Sequence, residues 1–241
     1  DHIIRSLLDL SSHADIGVLT GSDMEYVMQQ LPQISKLADI SSGNIDILPC
    51  NGTKRYVFIK GRGFEQRSAV SMLGTLGRES HNKILTKCCE WQASIMNDYP
   101  DLPYTGTFLQ YRGSLLNWCP IGRSAGTHER NKWTAADAEH SIRQKYQEML
   151  VSQLSYWGVG ATVALGGSTS FDIYPNGWDK TYGLSYYLNR EVYFVGDKCT
   201  EGGNDWHIYE KLKPAGMSYE TTCPEKTIEI MQDIISRVSK S

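Results

Sequence analysis

Residues 192–205 read VYFVGDKCTEGGND, an apolar strand that runs straight into carboxylates, a lysine and paired glycines. In an open α/β sheet the carboxyl ends of the strands form the ligand crevice, where a carboxylate can hold a hard cation such as Mg2+ beside a phosphate. Asp197 falls at that edge. Gly202 and Gly203 let the chain double back, so that Asn204 and Asp205 become further oxygen ligands or support the first. The chemistry expected of this corner is metal-assisted handling of a phosphate. A strand followed by Gly-Asp is also an ordinary turn, so other residues must carry the reading.

Three arginines stand close together in the middle of the chain: Arg112 in YRG, Arg123 in PIGR and Arg130 in THER. Guanidinium groups bind phosphate through paired donors, so converging arginines make a docking site for a phosphorylated ligand, whereas isolated ones are solvated. Arg112 and Arg123 flank turns between strands, where side chains converge. Ser170 and Asp172 alternate along one strand and share a face, a pairing that suits sugar hydroxyls as well as a solvent-facing sheet. Lys180 follows the Gly177-Trp178 turn and is placed to start a helix in the crevice.

The elements that position these residues follow from spacing. Ile3, Ile4, Leu7, Leu8 and Leu10 repeat at helical intervals before an extended stretch over 15–20, and Asp23 is placed to start a helix with Met24, Val27, Met28 and Leu31 on one face. Strands surround the Asn51-Gly52 turn, Gly61-Arg62-Gly63 reads as a hinge, and a helix carries Met72 to Trp91. Residues 105–119 alternate like an antiparallel hairpin turning at Gly113-Ser114. A helix is expected to start at a capping box on Thr134, with Ile142, Tyr146, Met149, Leu150 and Leu154 in one stripe. Strands over 161–165 and 170–174 follow, then a helix from Trp178 to about Leu188, the strand ending at Asp197, a short helix over Ile208 and a last helix over 224–238 capped by Thr222 and Glu225. The segment 33–45 reads as a long loop.

The order is α/β, then a mixed antiparallel block, then α/β. It predicts a Rossmann-like α/β core interrupted by an inserted α+β cap, with the ligand between them. The boundaries read as 1–61 for the first part of the core, 62–176 for the cap and 177–241 for the second part.

Composition narrows the function. At 241 residues with 40% hydrophobic and 21% charged positions, the chain suits a globular protein with a sizeable core. A net charge of -3 leaves no basic footprint for nucleic acid or a membrane surface. No window approaches a membrane span and no secretory leader is legible, so the expected compartment is cytoplasmic. The six cysteines lack C-x-x-C spacing and read as reduced thiols, and the six histidines are scattered. Asn51-Gly52-Thr53 is formally a glycosylation sequon, read here as a turn.

Four stretches together, GVLTGSD over 17–23, NWCPIGR over 117–123, FDIYPNGWDKTY over 171–182 and GDK with GGND over 196–205, closely resemble the eukaryotic-type phosphomannomutases, capped members of the haloacid-dehalogenase superfamily. The likeness runs in order from about residue 12 to the last helix. It implies interconversion of mannose 6-phosphate and mannose 1-phosphate for GDP-mannose synthesis, Mg2+, a hexose 1,6-bisphosphate as intermediate or activator, and a homodimer joined through the cap. By this resemblance Arg112, Arg123 and Arg130 hold the distal phosphate, Ser170 and Asp172 contact the sugar, and Ser22 binds the transferred phosphoryl group. Lys180 neutralises the aspartyl phosphate, and Asp197 holds the metal with support from Asn204 and Asp205.

The family opens with a strand ending in D-x-D-G-T, whose first aspartate attacks phosphorus and whose second shuttles the proton. No such motif occurs in these residues. The resemblance places it ahead of Asp1, so the sequence is expected to be N-terminally incomplete and inactive by itself. The likeness also breaks at Lys211 and Pro214, where the family often carries an aspartate and a threonine near a second cation site. Two further readings stand beside the mutase: a sugar-phosphate phosphatase of the same superfamily, and a catalytically dead sugar-phosphate-binding or dimerisation protein.

Overall fold

The helical spacing of the opening residues is realised as α1 (His2–Ser11) in the computed structural model, which describes residues 2–240. The chain divides into two units. The first combines the residues up to Ala69 with those from Trp178 onward, and the second comprises Val70–Gly177.

In the first unit, β1 (Ile16–Leu19) pairs in parallel with β2 (Ile45–Leu48), and β3 (Lys54–Ile59) and β4 (Gly63–Ala69) extend the sheet in antiparallel fashion. Gly61 and Gly63 have φ of 78° and 84°, and Ile59 pairs with Gly63. The expected hinge is therefore the tight turn of the β3–β4 hairpin, and the first unit continues through Ala69. Between β1 and β2 lie α2 (Met24–Gln30), capped by Asp23 accepting from the Tyr26 N–H, and α3 (Ile34–Ile40). The segment expected to be a long loop thus contains a helix, because Ile34, Leu37 and Ala38 join Val27, Ile45 and Ile47 in one buried cluster. Leu7 and Leu8 of α1 pack on that cluster and carry the helix.

After the second unit comes a 3₁₀ segment, Lys180–Tyr187, where an α-helix was expected; Asp179 caps it by accepting from the Thr181 N–H. Then follow β9 (Phe194–Gly196), α7 (Trp206–Leu212), β10 (Ser218–Glu220) and α8 (Pro224–Val238). The parallel pairing of β10 with β9 escaped the sequence reading because a three-residue strand carries too little alternation. The last helix takes Cys223 as its N-cap without a side-chain hydrogen bond, so the expected Thr222 and Glu225 cap does not form as read. Each of β1 and β9 has one hydrogen-bonded neighbour among the described residues. An apolar cavity of about 320 Å3 is lined by Ile16 and Leu19 of β1, Phe194 and Val195 of β9, Leu7 of α1 and Ile234 of α8.

The second unit begins with α4 (Met72–Asp98), broken at Gly77, whose φ of 78° is unavailable to most side chains. Its sheet has the order β5-β6-β8-β7, all antiparallel: β5 (Leu109–Tyr111), β6 (Leu116–Trp118), β7 (Ala161–Gly166) and β8 (Ser170–Pro175). Alternation places Leu116, Trp118, Phe171 and Ile173 on the buried face. Trp118 stacks on Phe171 with ring centroids 4.6 Å apart, and its indole N–H donates to Gln92 Oε1 of α4 at 2.9 Å. A polar anchor inside an apolar layer fixes the angle of the ring, since a buried N–H left unpaired is costly.

α5 (Thr127–His140) and α6 (Ile142–Tyr156) replace the single helix expected from Thr134. The S/T-x-x-acid pattern falls inside α5, and Asp137 serves the next helix instead, accepting the Arg143 N–H at 2.7 Å and Arg143 Nε at 2.6 Å. Ser141 between them has φ 51°. Ile142, Tyr146, Leu150 and Leu154 are buried as expected, while Met149 is 38% exposed. Among the described residues no helix is long and apolar enough to cross a membrane.

Candidate active site

Parallel strands end in loops that carry polar groups, and in the first unit β1, β2 and β9 all do so. The loop after β1 brings Ser22, whose N–H donates to Thr20 Oγ1 at 3.1 Å and whose carbonyl accepts from the Cys50 N–H at 2.8 Å. This ties it to the turn after β2. That turn meets the 3₁₀ segment so closely that a side chain on Gly52 would lie 2.7 Å from the Gly183 Cα. Glycine at position 52 is what allows the approach.

Lys180, 8% exposed, donates from Nζ to Asp205 Oδ1, and Asp205 is 2% exposed. The other oxygen, Asp205 Oδ2, accepts the N–H groups of Asp197 at 3.2 Å and Lys198 at 3.1 Å. A buried carboxylate needs such partners, and here it obtains two backbone donors and one cation. The consequence is mechanical: Asp205 holds the loop after β9 in a curl and fixes the lysine to it. Asp197 and Asn204, by contrast, are exposed. The neighbouring Cys199 thiol is pushed up to about 11, by burial first and then by the Asp205 and Glu220 carboxylates, so it is no nucleophile at neutral pH.

For a hard cation the donor type of Asp197 is right, an exposed carboxylate at a strand end. The described residues do not by themselves complete a magnesium site. No group of three or more His, Cys, Asp or Glu gathers among them, and both oxygens of Asp205 are already engaged.

The second unit gathers its charged residues on the polar face of its sheet. Gln110, Asn117, Asp172 and Ala164 lie in one row across the four strands by direct register. Arg112, 8% exposed, donates from Nε to Gln110 Oε1 at 3.2 Å. Arg123 Nη1 donates to Asn117 Oδ1 at 3.1 Å, and Asn117 Nδ2 donates to Asp172 Oδ1 at 2.8 Å. Burial pushes the Asp172 carboxyl up, while the Asn117 hydrogen bond and the charges of Arg112 and Arg123 pull it down. The net direction is upward. Two guanidinium groups near one carboxylate are of the residue types that suit a phosphate and a sugar hydroxyl.

Arg130 takes a different place. Its Nε donates to the Ala125 carbonyl at 3.0 Å, Nη1 to Thr169 Oγ1 at 2.9 Å and Nη2 to the Arg123 carbonyl at 3.3 Å. It braces the loop that carries Arg123. Ser170 Oγ donates to the Gly166 carbonyl of its own hairpin at 2.8 Å. The sequence reading gave no role to Asn117 or Thr169. For Asn117 the signal was present, a lone amide between Leu116 and Trp118 in a strand whose other face is apolar.

A family model described as eukaryotic phosphomannomutase matches residues 3–237. The phosphomannomutase of Saccharomyces cerevisiae is 33% identical over 241 residues, covering 98% of this chain and 87% of the relative. That of Drosophila melanogaster is 32% identical over 227 residues, covering 92% and 82%. Among solved structures, an IMP-bound mutant of Plasmodium falciparum IMP-nucleotidase superposes with a TM-score of 0.61 at 14% identity. The alignment covers 97% of this chain and 62% of that one. At that identity the likeness is one of fold, an α/β core with an inserted α+β unit. With the family model spanning nearly its whole length, the chain belongs to the eukaryotic phosphomannomutase family.

Proposed function

We propose that this chain is the phosphohexose-handling part of a phosphomannomutase, interconverting mannose 6-phosphate and mannose 1-phosphate through an aspartyl phosphate and a hexose bisphosphate. The observation that carries the reading is the polar face of the second unit's sheet, where Arg112 bonds to Gln110 and Arg123 is linked to Asp172 through Asn117. Such a set binds a phosphate and a sugar hydroxyl together. A mutase needs a dock for the phosphate that is not reacting, because its intermediate must turn round and react at the other end. Simple hydrolysis does not.

In this account the first aspartate of a D-x-D-G-T strand attacks one phosphorus of the hexose bisphosphate, and the P–O bond to that sugar oxygen breaks, leaving an aspartyl phosphate and a hexose monophosphate. The second carboxyl protonates the departing sugar oxygen, and the reverse step passes the phosphoryl group to the free hydroxyl of the other monophosphate, regenerating the bisphosphate. Lys180, held by Asp205, neutralises the phosphorylated aspartate, and Ser22 donates to the phosphoryl oxygens. These 241 residues contain no D-x-D-G-T, so turnover is expected to require that strand. The apolar cavity lined by β1 and β9 supports this, since each of these strands has one hydrogen-bonded neighbour among the described residues and so a second edge beside which an added apolar strand would fit. Mg2+ belongs to the same proposal, held by Asp197 together with that motif, with Asn204 beside it and Asp205 holding the loop; when bound, it would offset phosphate charge. Arg112, Arg123 and Arg130 hold the distal phosphate, Arg130 also bracing the loop of Arg123, and Ser170 with Asp172 meets the sugar. A cytoplasmic homodimer joined through the second unit completes the proposal.

The test is binding by the chain as it stands. Mannose 6-phosphate should bind at least tenfold more tightly than mannose by calorimetry, and Arg112→Ala should abolish the difference. Equal affinity for the two ligands would remove the reading.

A further inference from the structure

Asn117 sits in the middle of β6, directly opposite Asp172 of β8, and is 2% exposed. Its carboxamide is used at both ends. Nδ2 donates to Asp172 Oδ1 at 2.8 Å and to the Phe171 carbonyl at 3.3 Å, while Oδ1 accepts from Arg123 Nη1 at 3.1 Å. One neutral, buried side chain thus stands between a guanidinium and a carboxylate. A carboxamide is the side chain that can donate to one and accept from the other without adding charge. The room for Asp172 is kept from the other side by Gly166, where a side chain would meet Asp172 Oδ2 at 2.8 Å.

We propose that Asn117 is a positioning residue that holds Arg123 and Asp172 in register, so that one serves a phosphate and the other a sugar hydroxyl. This deepens the reading above and rests on it. Asn117 touches no substrate in this account; it sets the spacing between two groups that do.

The test uses Asn117→Asp and Asn117→Ala in the full chain, with mannose 6-phosphate as probe, folding checked by circular dichroism, and each affinity expressed as a ratio to wild type at the same pH. The ratio cancels the titration of the ligand itself. Asn117→Asp keeps the shape but turns a donor towards Asp172 into a second carboxylate, in a site that Arg112 and Arg123 also face. At pH 7.5 binding should weaken at least tenfold. At pH 5 the two carboxylates share a proton, a donor is regained, and the deficit should shrink to less than threefold. Asn117→Ala should weaken binding at both pH values alike. An Asn117→Asp affinity equal to wild type would overturn the proposal, as would a deficit identical at both pH values, which marks mere structural damage. Failure of the wild-type chain to prefer the phosphorylated sugar would instead remove the functional reading beneath it.

Discussion

Lys180 and Asp205 meet as a buried ion pair, 8% and 2% exposed, that joins the start of the 3₁₀ segment to the loop after β9. Residues far apart in the chain are thereby fixed to each other at the end of the strand that presents Asp197. Removing one partner strands the other charge in the interior. Asp205→Asn is therefore expected to destabilise the first unit by about 3–5 kcal/mol in urea unfolding. Lys180→Met combined with Asp205→Leu should cost less than either single change suggests. A single-variant cost below about 1 kcal/mol would place the pair in the weak, solvent-screened class.

Arg123 reaches the polar face through Asn117 and has its own loop braced by Arg130. Arg123→Ala should weaken mannose 6-phosphate binding by about 1.5–3 kcal/mol, the scale of a lost charged hydrogen bond. Calorimetry on the full chain reads this directly. An unchanged affinity would take Arg123 out of the site.

Asp172 links stability to pH with a definite sign. Burial raises its carboxyl above the ordinary 3.8, so the folded protein holds the proton longer than the unfolded chain does. Its contribution is then fully present below the unfolded value and is lost as pH rises through the raised folded value. At pH 7 the charge is a net cost. Asp172→Asn, which still accepts from Asn117, should raise the unfolding midpoint at pH 7 and leave it unchanged near pH 3, while weakening sugar-phosphate binding. A variant less stable than wild type at pH 7 would contradict this sign.

Much of the second unit was legible because its strands alternate. The 105–119 hairpin and its turn at Gly113-Ser114 follow from period-two spacing, and the same alternation separates Trp118 from Asn117. What escaped was set by side-chain hydrogen bonds that spacing does not reveal. Thr134 begins a pattern that fits a cap, but capping patterns recur within helices, and the real break comes at Ser141 because Asp137 and Arg143 close across it. Arg130 reads as a phosphate ligand, and spacing does not show that three of its five N–H groups also go to Ala125, Thr169 and Arg123. Asp205 reads as a metal ligand because spacing shows carboxylates near one another, yet says nothing of the lysine and N–H groups that engage it. The types of residue needed for the chemistry were visible; which of them act directly and which hold the others depended on hydrogen bonds.

The central claim is tested most directly by following the products of mannose 1-phosphate by phosphorus NMR, with Mg2+ and a trace of hexose 1,6-bisphosphate. The 241-residue chain should be compared with the same chain preceded by an apolar strand ending in D-x-D-G-T. The account predicts mannose 6-phosphate from the extended chain and no turnover from the shorter one. Inorganic phosphate as the main product, or isomerisation by the chain without the motif, would contradict it.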